Sequence, residues 1–149
     1  LVLSGCGAGT ASIHFQHLPM GNGPVAALNQ GAGQVLPGTT SGTGLLAQTG
    51  CTSGGPENTY VWYTCSAFAG GTNNFTASTC GRATWDTVLG QRSAARATVA
   101  ACNDDVGGTC GQRSTLTTSI PAGAGLHTLY VDGYSATTLG AYQVLVTRP

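Results

Sequence analysis

The chain has 149 residues, a length typical of one domain, and its formal net charge is zero. Charged residues make up only 7% of it and lysine is absent. Without a basic patch to neutralise phosphates, binding to nucleic acid is excluded as a function. No apolar run approaches the roughly twenty residues that a membrane-spanning helix needs, so the sequence predicts no transmembrane segment. Since a neutral surface gives little self-repulsion, copies of the chain can associate readily.

The N-terminal residues 1–21 differ in character from the rest of the chain. Leu3-Ser4-Gly5-Cys6 resembles a bacterial lipobox, after which Cys6 would carry lipid. We favour a disulfide at Cys6 instead, because a processed lipoprotein would begin at that cysteine. A strand with alternating side chains follows, bounded by Pro19, and either packs on its own domain or adds to the open sheet edge of a neighbouring copy. Its residues are Ser12, Ile13, His14, Phe15, Gln16, His17 and Leu18.

Residues 22–149 form the predicted domain. Two short strands are expected in 24–49, and helix signals are poor because Gly and β-branched residues recur densely. Short β-prone runs separated by Gly, Pro and Asp turns favour an all-β sandwich. These runs are Thr59–Phe68, Asn74–Thr79, Thr84–Gln91, Ala97–Ala101, Ser114–Ile120, Leu126–Val131 and Ala141–Thr147.

The last two runs read as a β-hairpin. Asp132-Gly133 follows the first run and supplies turn chemistry. In the second, Tyr142, Val144 and Val146 alternate with more polar neighbours and define a buried face.

The cysteines form an even set with no CxxC pair and no zinc-type Cys/His spacing. They predict disulfides, and with them a secreted protein, extracellular or at a cell surface. Two local closures are preferred among the open pairings, Cys102 with Cys110 and Cys51 with Cys65. The full set is Cys6, Cys51, Cys65, Cys80, Cys102 and Cys110.

Five motifs in order carry a family resemblance: ENTYVWY from Glu57, WDTVL from Trp85, ACNDD from Ala101, LYVDGY from Leu129 and GAYQVLV from Gly140. Together, over 22–149, they resemble bacterial pre-peptidase C-terminal (PPC) domains, particularly the cysteine-bearing secreted variety. The resemblance implies a jelly-roll-like antiparallel β-sandwich, secretion and a non-catalytic accessory, adhesive or binding role. Two departures stand out, because 91–97 lacks a cysteine that many members carry and the strand at 12–18 lies outside the usual domain.

Four residues are candidate calcium ligands: Asp86, Asn103, Asp104 and Asp105. Calcium takes six to eight hard oxygen ligands, which these side chains supply if their two loops meet. The alternative is that Asp86 and Asn103 cap turns by accepting hydrogen bonds from nearby backbone N–H groups. No cofactor is required under that alternative, and no DxDxDG loop is present.

A catalytic function is not expected. The chain has no G-x-S-x-G elbow, and His127 near Asp132 is the one His/Asp proximity in sequence. His14 and His17, three apart on a strand, face opposite sides and do not converge on a metal. The sequence therefore predicts a protein that is not an enzyme.

Two functions remain open. The first is a structural or adhesive subunit that assembles with copies of itself into a surface fibre or layer through the strand at 12–18. The alternative is a calcium-stabilised accessory module that binds a surface glycan or protein. For that role Tyr134, after Asp132-Gly133, is the best candidate for an exposed ligand contact.

Overall fold

The computed structural model describes residues 25–27, 33–44, 51, 53–64, 74–93, 101–119 and 125–147. Within them no helix is long and apolar enough to span a membrane. The predicted assembly strand, Leu3–Cys6 and the proposed boundary at residue 21 lie outside the described residues, and those predictions stay open. The described residues form nine strands: β1 (Val25–Ala27), β2 (Gln34–Thr39), β3 (Asn58–Thr64), β4 (Asn74–Ser78), β5 (Thr87–Ser93), β6 (Ala101–Asn103), β7 (Thr115–Ser119), β8 (Gly125–Gly133) and β9 (Ala141–Thr147).

The strands form two sheets. Sheet A has the order β1-β3-β8-β5-β6, and sheet B has the order β2-β9-β4-β7. Every pairing is antiparallel except that of β1 with β3. The prediction of an all-β antiparallel sandwich is confirmed, and β9 has the predicted bounds.

The core lies between the two sheets. Along β9 the residues Tyr142, Val144 and Val146 are buried while Ala141 and Gln143 are exposed, as the alternation predicts. They meet the inward face of sheet A. Its main contributors are Tyr60, Trp62, Leu89, Leu129 and Val131.

The predicted hairpin is wrong. β8 lies between β3 and β5 in sheet A, whereas β9 lies between β2 and β4 in sheet B, so 134–140 cross from one sheet to the other. Gly133 is not in a turn, because it is the last residue of β8 and pairs with Thr87. A Cβ on Gly133 would overlap the carbonyl of Thr138, so this glycine permits close approach of two backbone segments. Local alternation does not distinguish a hairpin from such a crossing.

Both preferred disulfides are also wrong. The observed pairs are Cys51–Cys102, with Cα atoms 6.1 Å apart, and Cys80–Cys110, with Cα atoms 5.0 Å apart. Each bond joins segments that are distant in sequence, across separations of 51 and 30 residues. Cys102 and Cys110 are not bonded to each other. In the loop between them and just after it, the backbone of Gly107 pairs with that of Gly111. Cys6 and Cys65 lie outside the described residues.

Candidate metal centre

Two acidic segments meet at one end of sheet A. Asp86 immediately precedes β5, and Asp104 and Asp105 immediately follow β6. Because β5 and β6 are antiparallel neighbours, with Leu89 opposite Asn103, the start of one strand lies beside the end of the other. Strand pairing therefore brings Asp86 close to the adjacent Asp104 and Asp105, although 18 positions separate Asp86 from Asp104 in the chain.

The three carboxylates are close enough to share one cation. One oxygen from each of Asp86, Asp104 and Asp105 lies within 4.8 Å of the other two. Asp86 Oδ1 and Asp104 Oδ1 are buried and accept no hydrogen bond. The other oxygen of Asp86 accepts a hydrogen bond from Gln112 Nε2 at 3.3 Å. The cluster therefore holds oxygen atoms whose bonding capacity the protein itself leaves unused.

Burial and mutual repulsion disfavour the charged form of the cluster. Burial raises the pKa of Asp86, and the negative charge of Asp105 raises it further. Burial likewise raises the pKa of Asp104, as do the charges of Asp105 and Asp86. The causes of both shifts act in the same direction, towards the neutral acid. A bound cation would offset both effects, because it supplies the opposite charge that the carboxylates lack.

The loop that carries Asp104 and Asp105 is held at several points. Ser114 Oγ donates to the carbonyl oxygens of Asp104 and Thr87, joining the loop to the start of β5. Val106 N donates to the carbonyl of Arg113 at 3.1 Å, which closes the loop on itself. The disulfide of Cys110 then ties the loop to the turn after β4. These contacts hold the backbone of the loop in place before any ligand arrives.

Asn103, the fourth predicted ligand, is engaged elsewhere. Its Oδ1 accepts a hydrogen bond from Thr115 N at 2.8 Å and thereby holds the start of β7 beside β6. This contact joins residues 12 positions apart in the chain, so it is neither the predicted metal ligation nor the local turn cap of the alternative. Gln112 was not predicted, and no local signal identifies it, because it lies 26 positions from the carboxylate that it contacts.

The ligand chemistry fits calcium or magnesium. Three carboxylates in one small volume offer hard, negatively charged oxygens, which these ions prefer. Calcium tolerates irregular geometry and completes its shell with carbonyl oxygens and water, whereas magnesium requires near-octahedral geometry. Carboxylates from two separate loops suit the more tolerant ion.

Two exposed apolar side chains flank the cluster. Tyr134 is 43% exposed, and its backbone N–H donates to the carbonyl of Asp86 at 3.3 Å. Val106, the residue after Asp105, is 49% exposed. Tyr134 is therefore at the surface as expected, and its backbone is bonded to the residue that carries one of the carboxylates. Its contact with a ligand stays a prediction.

The His127 and Asp132 side chains do not meet. Five positions apart on β8, they point to opposite faces of sheet A. His127 is buried in the core against Trp62, with ring centroids 5.3 Å apart. Burial lowers the pKa of His127 to about 4. At neutral pH it is a neutral core side chain that stacks on an indole.

Comparison with known proteins identifies the fold. No protein-family model and no curated protein matches the sequence. Among solved structures, the pre-peptidase C-terminal domain of a collagenase from Bacillus anthracis matches with a TM-score of 0.52 and 13% identity. The match covers 84% of this chain and 96% of that domain. The chain therefore has the PPC β-sandwich fold that its motifs resemble, although at this identity the likeness concerns the fold alone.

Proposed function

We propose that this chain is a secreted, non-catalytic accessory module whose Asp86, Asp104 and Asp105 cluster binds calcium. The observation that carries the proposal is the meeting of three carboxylates, two of whose oxygens are buried and accept no hydrogen bond from a described residue. The two disulfides support an oxidising, extracellular setting, where free calcium is abundant enough for a weak site. The PPC fold neighbour is a domain of a larger protein, which supports an accessory role.

In this proposal the cation acts on the recognition surface as well as on stability. Asp86 precedes β5, and its carbonyl holds the backbone of Tyr134. Asp105 precedes the exposed Val106. Neutralising the carboxylates removes the negative charge from this surface, so that the exposed Tyr134 and Val106 side chains offer apolar contacts to a surface glycan or protein.

Calcium titration of thermal unfolding tests the ion. Adding calcium to chelator-treated protein raises Tm, since a ligand at 100 times its Kd adds about 2.7 kcal/mol to the free energy of unfolding. Asp105→Asn removes one ligand and abolishes the rise. Asn103→Ala is the matched control, because it removes the Thr115 hydrogen bond and lowers Tm while leaving the calcium response intact. A Tm that does not respond to calcium in the unmodified protein would show that the site is only a repulsive acidic cluster.

A second candidate function is self-assembly by addition of the strand at 12–18 to a neighbouring copy. The observation that favours it is the edge of sheet B. β7 is the last strand of that sheet, contains neither proline nor a charged residue, and exposes Thr117 and Ser119. Such an edge lacks the usual protection against strand addition.

Deletion of residues 1–20 tests the assembly directly. We expect the truncated chain to remain a folded monomer while the full chain forms larger species, as measured by analytical ultracentrifugation and negative-stain imaging. Thr117→Pro on the full chain should block assembly from the acceptor side. Equal assembly of the truncated and full chains rejects this function.

A further inference from the structure

A groove opens on the outer face of sheet B at the point where β4 ends. β4 pairs with β9 only up to Ser78 opposite Leu145, and beyond this pair the chain turns. Arg82 then takes the position beside β9, where its carbonyl accepts a hydrogen bond from Gln143 N at 2.8 Å. The resulting groove is shallow and open to solvent, with a volume of about 530 Å³. Ala141 lies on its floor, and a small side chain there leaves the space open.

One wall carries a cation without a carboxylate partner. The guanidinium of Arg82 makes one hydrogen bond, from Nη1 to Gln143 Oε1 at 3.3 Å, and no ion pair with a described residue. The amide oxygen of Gln143 orients the planar group and leaves its other N–H donors open. A guanidinium in this state matches a carboxylate, which accepts two parallel hydrogen bonds from it.

The backbone of Arg82 is fixed before a ligand binds. Its N–H donates to the carbonyl of Thr79 at 2.8 Å, which closes a tight turn in which Gly81 has a φ of 66°. The next residue, Ala83, forms a bridge with Tyr142 on β9. Cys80, in the same turn, is bonded to Cys110. Binding of a ligand to Arg82 therefore carries no entropic cost for ordering the backbone of this turn.

The opposite wall suits a sugar ring. Pro37 and Thr39 on β2 are both exposed there and present an apolar ring and a hydroxyl group. A pyranose offers an apolar C–H face to such a ring and hydroxyl groups to such an oxygen. An extended peptide is disfavoured, because β2 and β9 are paired with each other beneath the groove and offer no backbone hydrogen bonds to a new strand.

We propose that the groove between Arg82 and Pro37 binds the carboxylate-bearing residues of an acidic glycan, that is, uronic acids. The carboxylate pairs with Arg82, the ring lies against Pro37, and the hydroxyl groups reach Thr39 and Gln143. This inference rests on the binding role in the proposed function, but not on the calcium cluster.

The test uses the full chain and trimers of galacturonate, glucuronate and mannuronate. Binding is measured by calorimetry and by amide chemical-shift changes. We expect at least one trimer to bind and its methyl ester, in which a methyl group caps each carboxylate and removes its charge, to bind at least 10-fold more weakly. Arg82→Gln should weaken binding at least 10-fold, and Arg82→Lys should weaken it less, because lysine keeps the charge but not the two-pronged geometry. Thr117→Ala, on β7 of the same sheet face, is the matched control and should leave binding unchanged.

Three outcomes overturn the proposal. The first is that no trimer binds, and the second is that the acid and its methyl ester bind equally well. The third is that Arg82→Gln binds the trimer as tightly as the unmodified protein does while keeping its Tm. A glutamate-rich peptide that binds as tightly as the trimers in an Arg82-dependent way would overturn the assignment to a glycan. Each titration is repeated with a chelator. Trimer binding that persists in the presence of the chelator supports the groove proposal even if calcium has no effect on Tm. The groove and the calcium site can therefore be rejected independently.

Discussion

Trp62 of β3 stacks on Phe75 of β4 with ring centroids 4.5 Å apart and planes 10° from parallel. β3 belongs to sheet A and β4 to sheet B, so this pair joins the two layers of the sandwich. Phe75 is fully buried and Trp62 is 3% exposed. The contact stabilises the packing of the sheets through apolar burial and ring stacking.

Phe75→Ala should therefore destabilise the protein strongly. Deleting a buried phenylalanine ring costs about 3–5 kcal/mol in the free energy of unfolding, which denaturant titration measures. Thr76→Ala, the next residue on the outer face of β4, is the control and should change stability by less than about 0.5 kcal/mol. Similar losses in both variants would mean that β4 contributes through its backbone alone.

A buried polar network joins the sheets at another point. Tyr142 and Tyr60 hydroxyl oxygens lie 2.7 Å apart, and Asn58 Nδ2 donates to Tyr142 Oη at 2.8 Å. Burial raises the pKa of Tyr142, so the hydroxyl group stays protonated at any physiological pH. Tyr142→Phe leaves the Asn58 donor with one acceptor fewer and should cost about 1–3 kcal/mol.

A double-mutant cycle separates this network from general packing. Tyr60→Phe alone should also destabilise, but the two substitutions together should cost less than the sum of their separate effects, because they remove the same hydrogen bond. Additive costs would show that the two hydroxyl groups do not interact energetically.

The acidic cluster predicts a stabilising substitution. Asp104→Asn removes a charge whose pKa is raised by burial and by Asp105 and Asp86. In the presence of a chelator this variant should be more stable at pH 7, by no more than ~1 kcal/mol for partly exposed charges. The folded-state pKa of Asp104 lies above the unfolded value, so the gain should be largest at neutral pH and vanish as pH falls through that raised pKa. Thermal unfolding from pH 7 to pH 3 measures the trend, and a variant that is less stable at pH 7 contradicts it.

His127 predicts a pH dependence of the opposite sign. Burial lowers its pKa from 6.5 to about 4, so below pH 6.5 the unfolded chain binds a proton that the folded chain does not. The stability contributed by His127 is complete above pH 6.5 and is lost progressively as pH falls towards 4. His127→Phe keeps a ring against Trp62 but cannot be protonated. Its Tm should vary less than that of the unmodified protein between pH 7 and pH 4, and parallel curves would exclude His127 as the cause.

Much of the fold follows from local pattern. Residues 141–147 alternate between buried and exposed positions as a strand on a core must, and the structure has a strand over those residues. The sequence identified Asp86, Asp104 and Asp105 as joint ligands on the condition that their loops meet, and in the structure the three carboxylates do lie close together. Their meeting required only that the two loops lie at the same end of the sheet.

The pairing partners of the strands and cysteines did not follow from the local pattern. β8 and β9 are neighbours in sequence and look like a hairpin, yet each pairs with strands far away in the chain. The same holds for Cys102, whose partner is Cys51 rather than the nearby Cys110. The position of Arg82 beside Gln143, which creates the groove, depends on where β4 ends and has no signal in the sequence.

The sequence by itself determined the segments in which most of the strands lie, the side chains that can face a core and the carboxylates that are available as ligands. These properties depend on side-chain chemistry and a two-residue period, both of which are local. The tertiary structure alone decided which strands are neighbours, which cysteines bond and which side chains share a groove. These are choices among distant segments, and they are made by the burial of the whole core rather than by any one stretch of chain.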